Sequence, residues 1–240
     1  MGAQWKHGPR LATAAKRGAL IGKLVKEILV AAKVGGPNPD ANARLWAALE
    51  NARKQSVPRD TIERAIKKGS GQTDEAVQFE LVTYEGFAPN KVPVIVECLT
   101  DNRNRTAPEI RNLFKKGQLG AIGSVTWMFD HVGVVEASHP DASQDLETVA
   151  IEAGAQNVEK ATLPDLPAGH IGARFICDRT DLDQVSRALK EAKWTVTTSE
   201  MSYIAKNFVE LTDAQRQEVA EFLNEIDEHD DVHRIYAALN

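Results

Sequence analysis

Four lysines, Lys16, Lys23, Lys26 and Lys33, recur at intervals that place them in one sector of a helix turning about 100° per residue. A row of ammonium groups can hold phosphate oxygens, and it can equally be a solvated face, so the surrounding charge decides. Residues 1–71 carry 14 Lys+Arg against 5 Asp+Glu, a net of +9, while the remainder carries a net of -14, so the formal charge of -5 conceals a sharp division along the chain. Such segregation creates a local field that draws a polyanion to one end of a molecule and repels it from the other. The candidate nucleic-acid contacts of this segment are Lys16, Arg17, Lys23, Lys26, Lys33, Arg44, Arg53, Lys54, Arg59, Arg64, Lys67 and Lys68. A second candidate is the run Asp101-Asn102-Arg103-Asn104-Arg105-Thr106, with Arg111 beyond it. Arginine forks ahead of a helix N-terminus suit phosphate. In the competing reading, Asn and Thr supply turns and a cap, and the arginines pair with Asp101 or Glu109.

Other chemistries find less support. His229 and His233 have the i, i+4 spacing of metal-binding helices, and acidic residues surround them. A strand expected to begin at Val232 would turn the two imidazoles apart, so solvated carboxylates are the favoured reading and no metal or cofactor is expected. His7, His131, His139 and His170 assemble no nucleophile with a base, and Gly117, Gly120 and Gly123 match no phosphate-loop or dinucleotide fingerprint. The chain is therefore expected not to be an enzyme. Trp127 and Phe129 alternate with Met128, for which core packing is the first expectation and stacking on a base the second. Cys98 and Cys177 sit far apart in apolar runs, as reduced, buried thiols do. The start MGAQWKHGPR has no apolar core of a signal peptide, and Lys23, Lys26 and Glu27 interrupt the most apolar stretch. A cytoplasmic protein with no membrane partner is expected.

The elements that must position these residues follow from periodicity. Leu20, Ile21, Leu24, Val25, Ile28, Leu29 and Ala32 recur at helical spacing over 11–34, and Gly35-Gly36-Pro37 ends the run. Asp40 can cap a second helix carrying Leu45, Leu49 and Ala52, and Pro58 opens a third that Gly69-Ser70-Gly71 stops. After residue 76 the period changes to two, predicting strands at 78–84 and 92–100 around the turn 85–91. Thr106 and Glu109 have capping-box spacing for a helix that Gly117 ends, and a strand is expected near 124–129. From 132 the order strand, helix (143–154), strand (156–161), strand (170–177), helix (181–192), strand (194–204) is the split βαβ pattern. A helix at 213–228 and a strand at 232–239 would complete the earlier half. The expected fold class is α+β and multidomain: a basic helical bundle (1–76), then two ferredoxin-like domains, a discontinuous one (77–131 with 205–240) and one inserted in it (132–204).

The blocks KRG (16–18), DANARL (40–45), VPRDTIERAIKKGSG (57–71), YEGFAP (84–89), VECLTDNRNRTAPEIR (96–111), GSVTWMFD (123–130) and HDDVH (229–233) span nearly the whole chain. On these the sequence resembles the YebC/PmpR family. Two departures stand out: Gly8-Pro9 follows Gln4-Trp5-Lys6-His7 where the family has a basic run, and the loop after Lys116 is shortened. The resemblance implies a helical N-terminal domain with two α+β domains. It also implies a nucleic-acid partner, as DNA for a transcriptional regulator or, alternatively, as rRNA or tRNA for a ribosome-associated translation factor related to the mitochondrial translational activator of cytochrome oxidase. The acidic domains would then be free for a protein partner.

Overall fold

The computed structural model describes residues 14–72, 79–163 and 166–239. Its described parts form two compact units, one drawn from 1–37, 48–130 and 204–240, the other from 38–47 and 131–203. The fold is mixed α+β with two antiparallel sheets.

The first unit begins with α1 (Ala14–Gly35), where Ile28, Leu29, Ala31 and Ala32 are buried. It packs against α3 (Arg59–Gly69), whose inner residues are Ile62 and Ala65. The contact is close at its end: a Cβ on Gly69 would stand 2.2 Å from the Leu29 carbonyl oxygen, so only glycine lets the last turn of α3 reach α1. In sequence, α2 (Ala43–Lys54) lies between the two. Asn42, not Asp40, caps it, its Oδ1 accepting from the Leu45 N–H at 3.0 Å.

The sheet of this unit has the order β3-β1-β2-β8, from β1 (Glu80–Ala88), β2 (Val92–Thr100), β3 (Gln118–Leu119) and β8 (Val232–Ala237). The predicted first strand runs on through Ala88, and the turn shrinks to a 3-10 step at Pro89–Lys91 with Asn90 and Lys91 at positive φ. Strand β2 is buried at eight of its nine positions, as an inner strand covered on both faces must be. One face packs Val92, Val94, Val96 and Cys98 against Ile110 and Phe114, from α4 (Arg103–Leu113) and the turn after it, and against Val219, Phe222, Leu223 and Ile226 of α7 (Asp213–Asp227). Phe114 and Phe222 meet edge to face at 5.4 Å.

In the second unit, β4 (Phe129–His139), α5 (Leu146–Ala153), β5 (Asn157–Lys160), β6 (Ile171–Cys177), α6 (Leu182–Glu191) and β7 (Thr195–Ala205) follow in the predicted sequence of types. Their sheet has the order β5-β6-β4-β7. Val135, Phe175, Val185, Leu189 and Trp194 form its core. The short strand expected near 124–129 is instead a 3-10 turn (Thr126–Met128) leading into β4. Both cysteines are free and buried, and burial pushes the Cys98 thiol up to about 12 and the Cys177 thiol to about 11, so neither is a nucleophile near neutrality. No helix among the described residues is long and apolar enough to cross a membrane.

Candidate nucleic-acid interface

At Lys23 and Lys26 the polar side of α1 does not simply face solvent as its helical wheel suggests. Lys26 Nζ donates to Asp231 Oδ1 and to the Asp230 carbonyl, each at 2.8 Å. Lys23 stands 3.5 Å from Asp227 Oδ1 and donates to the Asp227 carbonyl. Glu27, one residue on, meets His233 Nε2 at 2.8 Å, with Arg234 at 3.7 Å. Residues at i, i+3 and i+4 of α1 are thus matched charge for charge to the end of α7 and the start of β8. Lys23 and Lys26, expected as phosphate contacts, stand in the inner half of an ionic seam. The reason is that a wheel shows which residues share a side, not what the rest of the chain places opposite.

Asp231 is the centre of that seam and is only 3% exposed. Its Oδ2 accepts from Arg105 and from Thr106 Oγ1, both at 2.8 Å. Thr106 Oγ1 in turn lies 2.7 Å from Thr100 Oγ1, which accepts from the Asn102 N–H, so two hydroxyls relay a single donor direction into the carboxylate. Burial alone would raise the pKa of Asp231; the hydrogen bonds from Lys26, Arg105 and Thr106 outweigh it and hold the group far below the usual carboxylate range. A carboxyl depressed in the folded state stabilises it fully above the unfolded value of about 3.9, and that contribution drains away as pH falls toward the folded value. Urea unfolding of the wild type at a series of pH values should therefore show stability falling below about pH 4, with a shallower fall in Asp231→Asn.

This network also corrects the reading of 101–106. The N-cap of α4 is Asn102, whose side chain accepts from the Arg105 N–H at 3.2 Å, so Arg103 and Arg105 lie in the first helical turn rather than before it. Thr106 is buried within the helix, and Glu109 reaches His229 Nε2 at 3.0 Å instead of closing a capping box. Arg105 keeps partial exposure but is engaged by both Asp231 and, at 3.3 Å, Asp101. Arg103 and Arg111 are exposed.

Glu109, His229 and Asp231 bring one ligand atom each within 4.8 Å of one another. Their chemistry favours a hydrogen-bond network over a metal centre. His229 Nδ1 accepts from the Asp231 N–H, which leaves the ring proton on Nε2 to be donated to Glu109, and two cations already cover Asp231. His229 and His233 do turn to different partners, Glu109 and Glu27.

An accessible basic surface is carried by α3. Arg59, Arg64 and Lys67 are exposed, and Lys68 is half-buried. Arg59 pairs with Glu63 one turn away at 2.8 Å, and Arg64 donates to the Asp60 carbonyl at 3.2 Å. Contacts of this kind are weak and readily exchanged for a phosphate. Because Gly69 brings the last turn of α3 onto Leu29 and Ala32, Lys67 and Lys68 lie near the α1 turn that precedes exposed Lys33, whose Nζ donates to the Phe79 carbonyl at 3.4 Å. On α2, Arg53 is exposed and Arg44 half-buried. The side chains of Lys16, Arg17 and Lys54 lie outside the described residues.

Two residues escaped the sequence reading. Glu85, expected in a turn, is a buried strand carboxylate, and Trp127, expected in the core, is 65% exposed. The Asp227 and Asp231 partners of α1 could have been suspected only from the acidic run 225–231, which reads equally as a solvated acidic turn.

Comparison with known proteins places these features in a wider set. Residues 3–72 match the domain family described as the TACO1/YebC protein N-terminal domain, and residues 79–239 that described as the TACO1/YebC second and third domain. A probable transcriptional regulatory protein of Pseudomonas syringae pv. syringae (strain B728a) is 51% identical over 240 residues, covering 100% of this chain and 99% of its own. Another probable transcriptional regulatory protein, from Thermotoga maritima, is 41% identical over 95% of this chain and 88% of its own. The crystal structure of a conserved hypothetical protein from Aquifex aeolicus superposes with a TM-score of 0.75 at 38% identity, covering 99% of this chain and 96% of that one.

Proposed function

The chain belongs to the TACO1/YebC family, and from that premise we propose that it is a cytoplasmic, nucleic-acid-binding transcriptional regulator that acts by binding rather than by catalysis. The relatives described as probable transcriptional regulatory proteins support the regulatory half of this reading. The observation that carries the binding half is the exposed basic face of α3 on a +9 segment of a chain whose remainder is -14.

In this reading the helical part, 1–76, meets the phosphate backbone through Arg59, Arg64, Lys67 and Lys68, supported by Lys33 and Arg53. The sheet-containing parts, 77–131 with 205–240 and 132–204, carry the excess of acidic charge, which repels a polyanion. Lys23 and Lys26 serve by fastening α1 to Asp227 and Asp231, and Arg105 by fastening α4 to Asp231. Phosphate contacts position a protein without reading sequence, so the regulator is expected to bind mixed-sequence duplex DNA with steep salt dependence. With six or so phosphates engaged, affinity should fall about 10³-fold between 50 and 200 mM salt. Fluorescence anisotropy with a labelled mixed-sequence duplex measures it, and a flat salt response would remove the electrostatic reading.

A further inference from the structure

Strand β1 has β2 on one side, and on the other it has only the short β3, which pairs with Gly86 and Phe87. Beyond β3 the chain turns away under a brace from Glu85, whose buried carboxylate accepts from the Gly123 N–H at 2.7 Å and from those of Val125 and Thr126 at 2.9 Å each. Residues 80–84 are left as an edge with no strand beside it among the described residues. One bond fixes the direction of their backbone groups: the Glu85 carbonyl accepts from the Gly120 N–H at 2.8 Å, on the outer side. These groups alternate along a strand, so Leu81 and Thr83 also aim N–H and C=O outward, while Glu80, Val82 and Tyr84 aim theirs at β2. The outward groups of Leu81 and Thr83 have no hydrogen-bond partner among the described residues, and the Leu81 side chain is 57% exposed.

Natural edges are usually defended by Lys, Pro or a bulge. The segment Glu80-Leu81-Val82-Thr83-Tyr84 has neither residue, and its register with β2 is unbroken. It is also self-complementary. Two copies laid antiparallel about Val82 set Leu81 of each opposite Thr83 of the other, so the outward donors and acceptors satisfy one another, and Glu80 falls opposite Tyr84 rather than another carboxylate. Charge completes the match. On α4, Arg105 and Glu109 turn to Asp231 and His229, at the β8 side of the sheet; at about 100° per residue, Arg103, Ala107 and Arg111 fall on the opposite side, toward β1. Tyr84, which packs with Ile110 and Phe114 on this face, agrees with that placing: burial above all raises its hydroxyl's pKa, Cys98 adds to the rise, and Arg103 is near enough to pull it down. Glu80, two positions from Val82 and four from Tyr84, shares their face. Glu80, Arg103 and Arg111 are exposed, and none has an ion-pair partner among the described residues. Pairing about Val82 carries the Glu80 carboxylate of each copy to Tyr84 of the other, beside the arginine side of α4.

We infer that the β1 edge joins two copies of this chain, strand to strand about Val82, with Glu80 of one copy answering Arg103 and Arg111 of the other. Such a pair carries the basic α3 face twice, a condition for avid binding to a long polyanion. Sedimentation velocity of the full chain, free of nucleic acid, should show a monomer–dimer equilibrium across a concentration series. Thr83→Pro deletes an outward N–H that β2 does not use, and should leave the chain monomeric. Glu80→Lys alone, and Arg103→Glu with Arg111→Glu, should each weaken the dimer about tenfold; all three together restore opposite charges and should return it to within about threefold of wild type. A wild type that stays monomeric throughout the series would leave the edge to a strand of another protein and overturn the inference. So would a dimer that Thr83→Pro and Glu80→Lys both leave intact. If Thr83→Pro lost its cooperative urea transition, the charge exchange would decide by itself, and a triple variant no better paired than the Glu80→Lys chain would overturn the inference.

Discussion

Asp231→Ala should lower the stability of the first unit by about 3 kcal/mol, read as a reduced urea midpoint with an unchanged slope. The substitution removes the acceptor shared by Lys26, Arg105 and Thr106 and leaves two cations converging on a vacated site. Breaking a buried ion pair by deleting one partner costs roughly 3–5 kcal/mol, and the lower end applies because Lys26 and Arg105 keep side-chain exposures of 21% and 47%. The same change should release α1 locally, seen as faster amide exchange around Ile28 and Leu29 than in the second unit. Removing the opposing charge as well, in Lys26→Met with Asp231→Leu, should recover part of the loss, since apolar replacements of a buried pair are often tolerated. An unchanged midpoint for Asp231→Ala would mean that the seam does not hold α1.

That seam also shows where the sequence could be read and where it could not. The inner stripe of α1 was legible because Ile28, Leu29 and Ala32 have a period that only one secondary structure satisfies, and the same logic located β2, α6 and α7. Lys23 and Lys26 were legible as sharing a side, but their partners lie 204 and 205 residues away, and nothing local distinguishes an ammonium destined for a carboxylate from one destined for water. The capping assignment failed for a related reason. Thr106 and Glu109 satisfy a local rule, yet Asn102 caps the helix from one turn earlier and releases both side chains for long-range partners. Trp127 was misplaced because the alternation around Phe129 mimics a strand; the Glu85 brace that turns 126–128 into a 3-10 step is contributed by β1, some 40 residues before it. Long-range polar contacts, in short, leave almost no periodic trace, whereas apolar burial does.

The ion pairs of Lys23 and Lys26 decide which charge reversal can report on binding. Reversing those two lysines would set carboxylates against Asp227 and Asp231 and unseat α1, so any lost binding would be lost structure. Reversal of Arg59, Arg64 and Lys67 to glutamate avoids this, because all three are exposed on α3 and the Arg59 side chain is 89% accessible. The side-chain contacts they make among the described residues are local, so the urea midpoint should barely move. Affinity for a mixed-sequence duplex should nevertheless fall by about 100-fold at low salt, and the slope of log affinity against log salt should shrink by about 3, one contact for each reversed cation. The slope separates the explanations, since a general loss of folded protein lowers the amplitude of binding and leaves its salt dependence intact. A triple variant that kept both affinity and slope would move the polyanion off α3, leaving the positive segment without an accessible face in the described helices strong enough to replace it.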